Sequence, residues 1–281
     1  MTSPWKLRFA PHIGLTSLDT PLFKAAVGSD DPVAQIEHAA DRGFAGIEDN
    51  LLKLRSVADQ ERIGAALARR GLEMGCFVGN ADAWNAKLWG RNDDEARAKL
   101  NADLQSSIDV AARVGGKYLT TISGRDLAVP LWAQHQAMIE NLKRLAPRAE
   151  QAGVVLGIEP TNEQGFPGML VHHVGDAYAI VKAVDSPAVR LVFDAFHVQV
   201  MDGDLIQNLE RTFDAIGIVQ IADNPGRLEP GTGEINFVHL LRRLRTLGYT
   251  GLVELEHEVS GVGAAGEAAA LQALRAINDA I

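Results

Sequence analysis

Short apolar runs alternate with longer stretches of helical periodicity from one end of the chain to the other. Eight runs of strand length fall at 7–13, 45–49, 73–78, 117–123, 154–159, 190–194, 217–221 and 252–256. Between and after them, apolar residues return every three or four positions at 32–42, 58–70, 95–114, 133–151, 176–184, 205–215, 237–247 and 267–278, which predicts eight helices. Glycine follows five of these helical segments, at Gly43, Gly71, Gly115, Gly153 and Gly248, where a left-handed residue closes a helix before the next strand. No linker rich in Pro, Gly or Ser breaks the rhythm.

Eight βα units in 281 residues predict a closed (β/α)₈ TIM barrel occupying residues 1–281 as a single domain. An open doubly wound sheet usually has fewer strands, and no G-x-G-x-x-G follows the first strand. Composition agrees: 47% hydrophobic and 22% charged residues suit one sizeable core. A formal charge of −9 disfavours nucleic acid and anionic membrane as partners, since both attract basic surfaces. A small-molecule substrate fits better, and exposed apolar helix faces would allow a homo-oligomer. Cys76 is the sole cysteine, so no intrachain disulfide or thiol-rich zinc site is expected, and a reducing cytoplasm is the default location. The first residues lack a signal-like apolar core, and no stretch has membrane-spanning length.

Barrel enzymes place their chemistry at the C-terminal ends of the strands. Strand five ends at Glu159, strand six at Asp194, strand seven carries Gln220, and strand eight ends in Glu254-Leu255-Glu256. The successive intervals Glu159 to Asp194, Asp194 to Gln220 and Gln220 to Glu256 are 35, 26 and 36 residues, each about one βα unit, so the four side chains can ring one point. Three carboxylates in one place repel unless a cation or protons compensate. An all-oxygen set of Glu159, Asp194, Gln220 and Glu256 suits a hard divalent ion, Mg²⁺ or Mn²⁺. Any one of these acids alone could simply end its strand or cap the next helix. On strand eight, Glu254 and Glu256 share a face; Glu256 is the candidate because Glu254 lies deeper and would need a buried partner.

The motifs Ile158-Glu159-Pro160-Thr161-Asn162, Phe193-Asp194-Ala195-Phe196-His197 and Gln220-Ile221-Ala222-Asp223-Asn224-Pro225-Gly226-Arg227 carry a resemblance. Continued through Glu229 to Asn236, they resemble the hydroxypyruvate isomerase family among the xylose-isomerase-like sugar isomerase and epimerase barrels. The match is specific from about Glu159 to Glu256 and generic before it. The resemblance implies that Glu159 and Glu256 bind the metal and act as an acid/base pair, that Asp194 and Gln220 complete the coordination, and that His197 and Arg227 bind substrate. The first βα loop, 14–31, is long, the third carries Trp84 and Trp89, and a helix follows Glu256, departures that bear on substrate choice more than on chemistry.

A metal holding adjacent carbonyl and hydroxyl oxygens acidifies the intervening C–H, so one glutamate can remove a proton and return it to the neighbouring carbon or to the opposite face. The expected activity is therefore metal-dependent isomerisation or epimerisation of a small hydroxy-carbonyl or sugar substrate. The rivals are a metal-dependent sugar or polyol dehydratase on the same barrel, and a non-catalytic sugar-binding barrel. A DNA-repair barrel would carry more histidines and a less acidic surface. His172-His173 reads as a solvated turn, Pro230–Gly233 equally as an oxyanion cradle or a tight turn, and 123–126 as a possible substrate contact.

Overall fold

The computed structural model describes residues 4–281. Nine strand segments, β1 (Arg8–Pro11), β2 (Gly46–Ile47), β3 (Glu73–Met74), β4 (Phe77–Val78), β5 (Tyr118–Thr121), β6 (Val155–Ile158), β7 (Val189–Asp194), β8 (Ile216–Ile221) and β9 (Leu252–Leu255), all pair in parallel. One sheet runs β1-β9-β8-β7-β6-β5-β4, and β2 pairs with β3. Backbone bonds close the ring on both sides of that pair: Ala45 N to Phe9 O at 2.9 Å, Glu48 N to Pro11 O at 3.0 Å, and Val78 N to Asn50 O at 3.1 Å. The result is the expected (β/α)₈ TIM barrel.

The helices are α1 (Lys24–Val27), α2 (Pro32–Asp41), α3 (Val57–Arg70), α4 (Asp94–Val114), α5 (Leu131–Ala152), α6 (Val174–Val184), α7 (Ala195–Met201), α8 (Leu205–Thr212), α9 (Phe237–Thr246) and α10 (Gly263–Ala280). All eight helical segments read from periodicity form, and the five glycines after them have φ between 65° and 81°, as their role requires. Two short helices were not anticipated. α1 lies in the long first loop, where Glu267 accepts hydrogen bonds from the N–H groups of Ala25 and Ala26. α7 follows β7 without a loop because the Asp194 side chain accepts from Phe196 N at 2.8 Å and caps the helix at once.

The third barrel strand departs from the continuous run expected at 73–78. Glu254 Oε1 accepts the Cys76 N–H at 2.7 Å, taking a donor that the sheet ladder would otherwise use. A Cβ on Gly75 would lie 2.5 Å from that same oxygen, so only glycine lets the carboxylate approach. The strand therefore pairs with β2 before Gly75 and with β5 after Cys76.

The main core lies between sheet and helices, and a second small cluster of Cys76, Val192 and Ile218 fills the barrel interior. Side chains two residues apart share a face, so Val192 and Ile218 lead to Asp194 and Gln220, while Glu254 leads to Glu256. Gly157, whose Cβ would touch Val192 and Ile218, leads in the same way to Glu159. The period-two rule thus turns all four candidates into the barrel.

Candidate active site

Glu159, Asp194 and Glu256 gather at the C-terminal ends of β6, β7 and β9, all buried. Asp194 divides its two oxygens. Oδ1 caps α7, whereas Oδ2 is buried with no hydrogen-bond partner. An unpaired buried carboxylate oxygen is costly, and here it lies 3.5 Å from His197 Nε2 and 3.7 Å from the Arg227 guanidinium. Ligand atoms of Glu159, Asp194 and His197 all lie within 4.8 Å of one another. The two carboxylates of this group, with the free Asp194 oxygen, fit a divalent metal.

His197 is held by the loop after β6. Asn162 donates its backbone N–H to His197 Nδ1 at 3.1 Å, and its side-chain amide lies 2.7 Å from the same nitrogen. Nδ1 is therefore the acceptor, which leaves the proton of the neutral ring on Nε2, facing Glu159 at 3.7 Å and Asp194. Burial first, then the Arg227 charge, lowers the His197 pKa to about 3, so the ring stays neutral. A protonated Nε2 is a donor rather than a ligand.

Arg227 reaches Glu256 Oε2 at 2.6 Å, and its guanidinium carbon lies 5.8 and 5.5 Å from the ring centres of Phe166 and Phe196. Its backbone adopts φ 54°, an uncommon conformation for an arginine. Asn50 donates to the other Glu256 oxygen. Burial raises the Glu256 pKa while Arg227 opposes the rise. Burial raises that of Glu159 well above the carboxylate range, and Glu256 and Asp194 reinforce it.

Gln220 differs from the expected arrangement. Its Nε2 lies 3.3 Å from Glu48 Oε1, Cys76 Sγ and Glu254 Oε2, deeper in the barrel than the mouth acids, while its Oε1 has no partner. Glu254 does have the buried partners its depth demands, since Cys76 donates to it through both N–H and Sγ. Glu48, Asn50, Cys76 and Asn162 were missed. Glu48 stands beside Asp49 at the end of strand two, Asn162 closes the strand-five motif and Cys76 is the sole cysteine, but none was read as a site residue.

The remaining features settle as loop structure. His172 bonds to Thr161 O and Glu163, and His173 to Asp202. The Pro230–Gly233 turn is no anion cradle, because Asp223 Oδ2 already accepts the N–H groups of Gly231 and Gly233 at 2.8 Å. Trp89 is buried, and Trp84 packs edge-on against Phe166, which in turn meets His197 edge-on.

With that geometry in place, the chain's class follows: it belongs to the xylose isomerase-like TIM barrel family, whose model matches residues 36–280. It is similar to the hydroxypyruvate isomerase of Escherichia coli, 31% identical over 82% of this chain and 89% of that protein. The 2-oxo-tetronate isomerase of Cupriavidus necator is also 31% identical, over 79% of this chain and 88% of its own length. A solved structure described as an AP endonuclease, family 2, from Brucella melitensis superposes with a TM-score of 0.80 and 26% identity, covering 95% of this chain and 98% of that one. The chain is an enzyme of the isomerase and epimerase class. Among the described residues no helix is long and apolar enough to cross a membrane.

Proposed function

We propose that the whole chain forms one catalytic barrel, a metal-dependent isomerase or epimerase that moves a proton beside the carbonyl of a small hydroxy-carbonyl substrate such as hydroxypyruvate. The observation that carries this reading is Asp194 Oδ2, buried and unpartnered among Glu159, His197 and Arg227. Glu159, Asp194 and Glu256 would hold a divalent ion, Mg²⁺ or Mn²⁺ by the oxygen donors, with the free Oε1 of Gln220 completing the set. When bound, that ion supplies the positive charge that proton loss beside a carbonyl requires.

The protein's own groups divide the remaining work. Glu256, supported by Arg227 and Asn50, is favoured as the ionised partner and takes the proton. Among the described residues Glu159 has no ion-pair contact beyond neutral His197, and it is suited to returning a proton from the other end of the row β6-β7-β8-β9. His197 Nε2–H donates to a substrate oxygen, and Arg227 positions both Glu256 and the substrate's polar end. The aromatic groups of Phe166, Phe196 and Trp84 flank this mouth. A polyanionic DNA substrate is disfavoured by the charge of −9. A cytoplasmic setting belongs to the same proposal and rests on the single, free Cys76.

The test is proton exchange. Metal-loaded protein in D₂O with hydroxypyruvate, tartronate semialdehyde or short ketoses is expected to incorporate deuterium beside the carbonyl. Chelator and Glu256→Gln should each abolish incorporation. Undiminished exchange in a folded Glu256→Gln variant would overturn the assignment, and loss of water from the substrate would mark a lyase instead.

A further inference from the structure

Below the mouth, the barrel interior holds a second group of ligand-type atoms. Atoms of Glu48, Cys76 and Glu254 lie within 4.8 Å of one another, each from a different strand or strand end. Cys76 Sγ is 2.9 Å from Glu254 Oε2 and 3.9 Å from Glu48 Oε1. All three residues are at most 1% exposed. Among the described residues neither carboxylate has a basic ion-pair partner, in contrast to Glu256 at the mouth. Glu48 Oε2 is buried with no hydrogen-bond partner, and its other oxygen meets Gln220 Nε2 at 3.3 Å and the Cys76 thiol at 3.9 Å.

Glu254 also borders a cavity on the other side of the barrel. A cavity of about 860 Å³ opens at the N-terminal face of the barrel, opposite the mouth, lined among others by Arg8, Met74, Tyr118, Arg190, Ile218 and Glu254. A barrel whose interior were only a packed core would place apolar residues here. Instead a thiol and two acids converge, Gly75 lacks the Cβ that would collide with Glu254, and the Gln220 amide nitrogen lies 3.3 Å from all three.

We propose that Glu48, Cys76 and Glu254 form a second metal site, distinct from the mouth, for a borderline divalent ion of the Zn²⁺ class. One sulfur and two carboxylate oxygens suit such an ion better than Mg²⁺, which avoids sulfur. Its charge offsets the two buried carboxylates, and Gln220 Nε2 then hydrogen-bonds to the ligand atoms. Ligation replaces the thiol proton with the metal, so binding releases protons to solvent. The site does not depend on the catalytic reading, since none of its three ligands takes part in the proposed proton transfer.

Co²⁺ is the probe, because a cobalt–thiolate bond absorbs strongly in the near ultraviolet and Cys76 is the only thiol in the chain. Titrating metal-free full-length protein with Co²⁺ is expected to produce a saturable thiolate charge-transfer band that Zn²⁺ displaces. Cys76→Ser should abolish the band and reduce bound metal by one equivalent, while Asp194→Asn, which disarms the mouth, should retain the band. Absence of the band from wild-type protein whose bound cobalt is verified by metal analysis would overturn the second site, whatever the activity assays show. Loss of the band in a folded Asp194→Asn variant would overturn its separateness from the mouth.

Discussion

Glu254 and Glu256 are two residues apart on one strand, point the same way, and live in different electrostatic worlds. Glu256 meets Arg227 and Asn50 at the mouth. Glu254 meets a thiol, a backbone N–H and an amide in the interior, and burial raises its pKa to about 7, partly opposed by those Cys76 hydrogen bonds. The same contrast separates whole clusters: the mouth acids share a guanidinium and a neutral imidazole, while among the described residues Glu48 and Glu254 have no ion-pair partner. A carboxylate beside a fixed positive charge is prepared to accept a proton. One without it holds its proton or waits for a metal.

The largest effect that tests this division belongs at the mouth. Glu256→Gln and Glu159→Gln should each lower kcat by roughly 10²–10⁴-fold while circular dichroism and Tm stay near wild type, as expected when a general acid or base is removed. Wild-type kcat in either folded variant would dissolve the functional difference between the two levels.

Arg227→Met comes next. It removes the cation that Glu256 and Asp194 share, and breaking a buried pair on one side costs about 3–5 kcal/mol, discounted somewhat because the arginine side chain is 18% exposed. In urea unfolding of metal-free protein the loss should be clear, and saturating divalent metal should recover part of it. Equal stability of variant and wild type without metal would show that the guanidinium does not hold the mouth acids together.

Gly75→Ala probes the interior alone. The new methyl would sit 2.5 Å from Glu254 Oε1 and 2.9 Å from Ile47 O, and the backbone contact cannot swing away. A destabilisation of about 1–3 kcal/mol is expected by thermal denaturation, the usual range for overpacking. An unchanged Tm would mean that Glu254 does not need the space glycine leaves.

The last test is a pH dependence at the first strand's end. Burial, followed by the charge of His257, lowers the His12 pKa from 6.5 to about 3, and its Nδ1 has no partner. A depressed histidine favours the fold when neutral, so this contribution is complete above pH 6.5 and is lost as pH falls toward 3. The slope is at most roughly 1.4 kcal/mol per pH unit. Unfolding free energies measured across that window should fall less steeply in His12→Gln than in wild type, and parallel curves would contradict the assignment.

The order of strands and helices was legible in the chain because each βα unit repeats an apolar run and a periodic segment, five of them closed by glycine. The mouth residues Glu159, Asp194 and Glu256 were legible for a related reason: in a barrel, the last polar residue of a strand faces the opening, and strand spacing brings such residues to one place. His197 and Arg227 entered through motif likeness, and the structure joins them to the same acids.

What the chain could not display is contact across the barrel. That Glu254 Oε1 takes the Cys76 N–H and splits the third strand depends on two residues 178 positions apart. Asn50 and Glu256 lie 206 apart, and Gln220 meets Glu48 across 172. Periodicity reports which face a side chain takes, a property of its own strand. Which partner waits on that face depends on how eight strands tilt and close, and only the closed barrel decides whether a buried acid meets an arginine, a thiol or nothing.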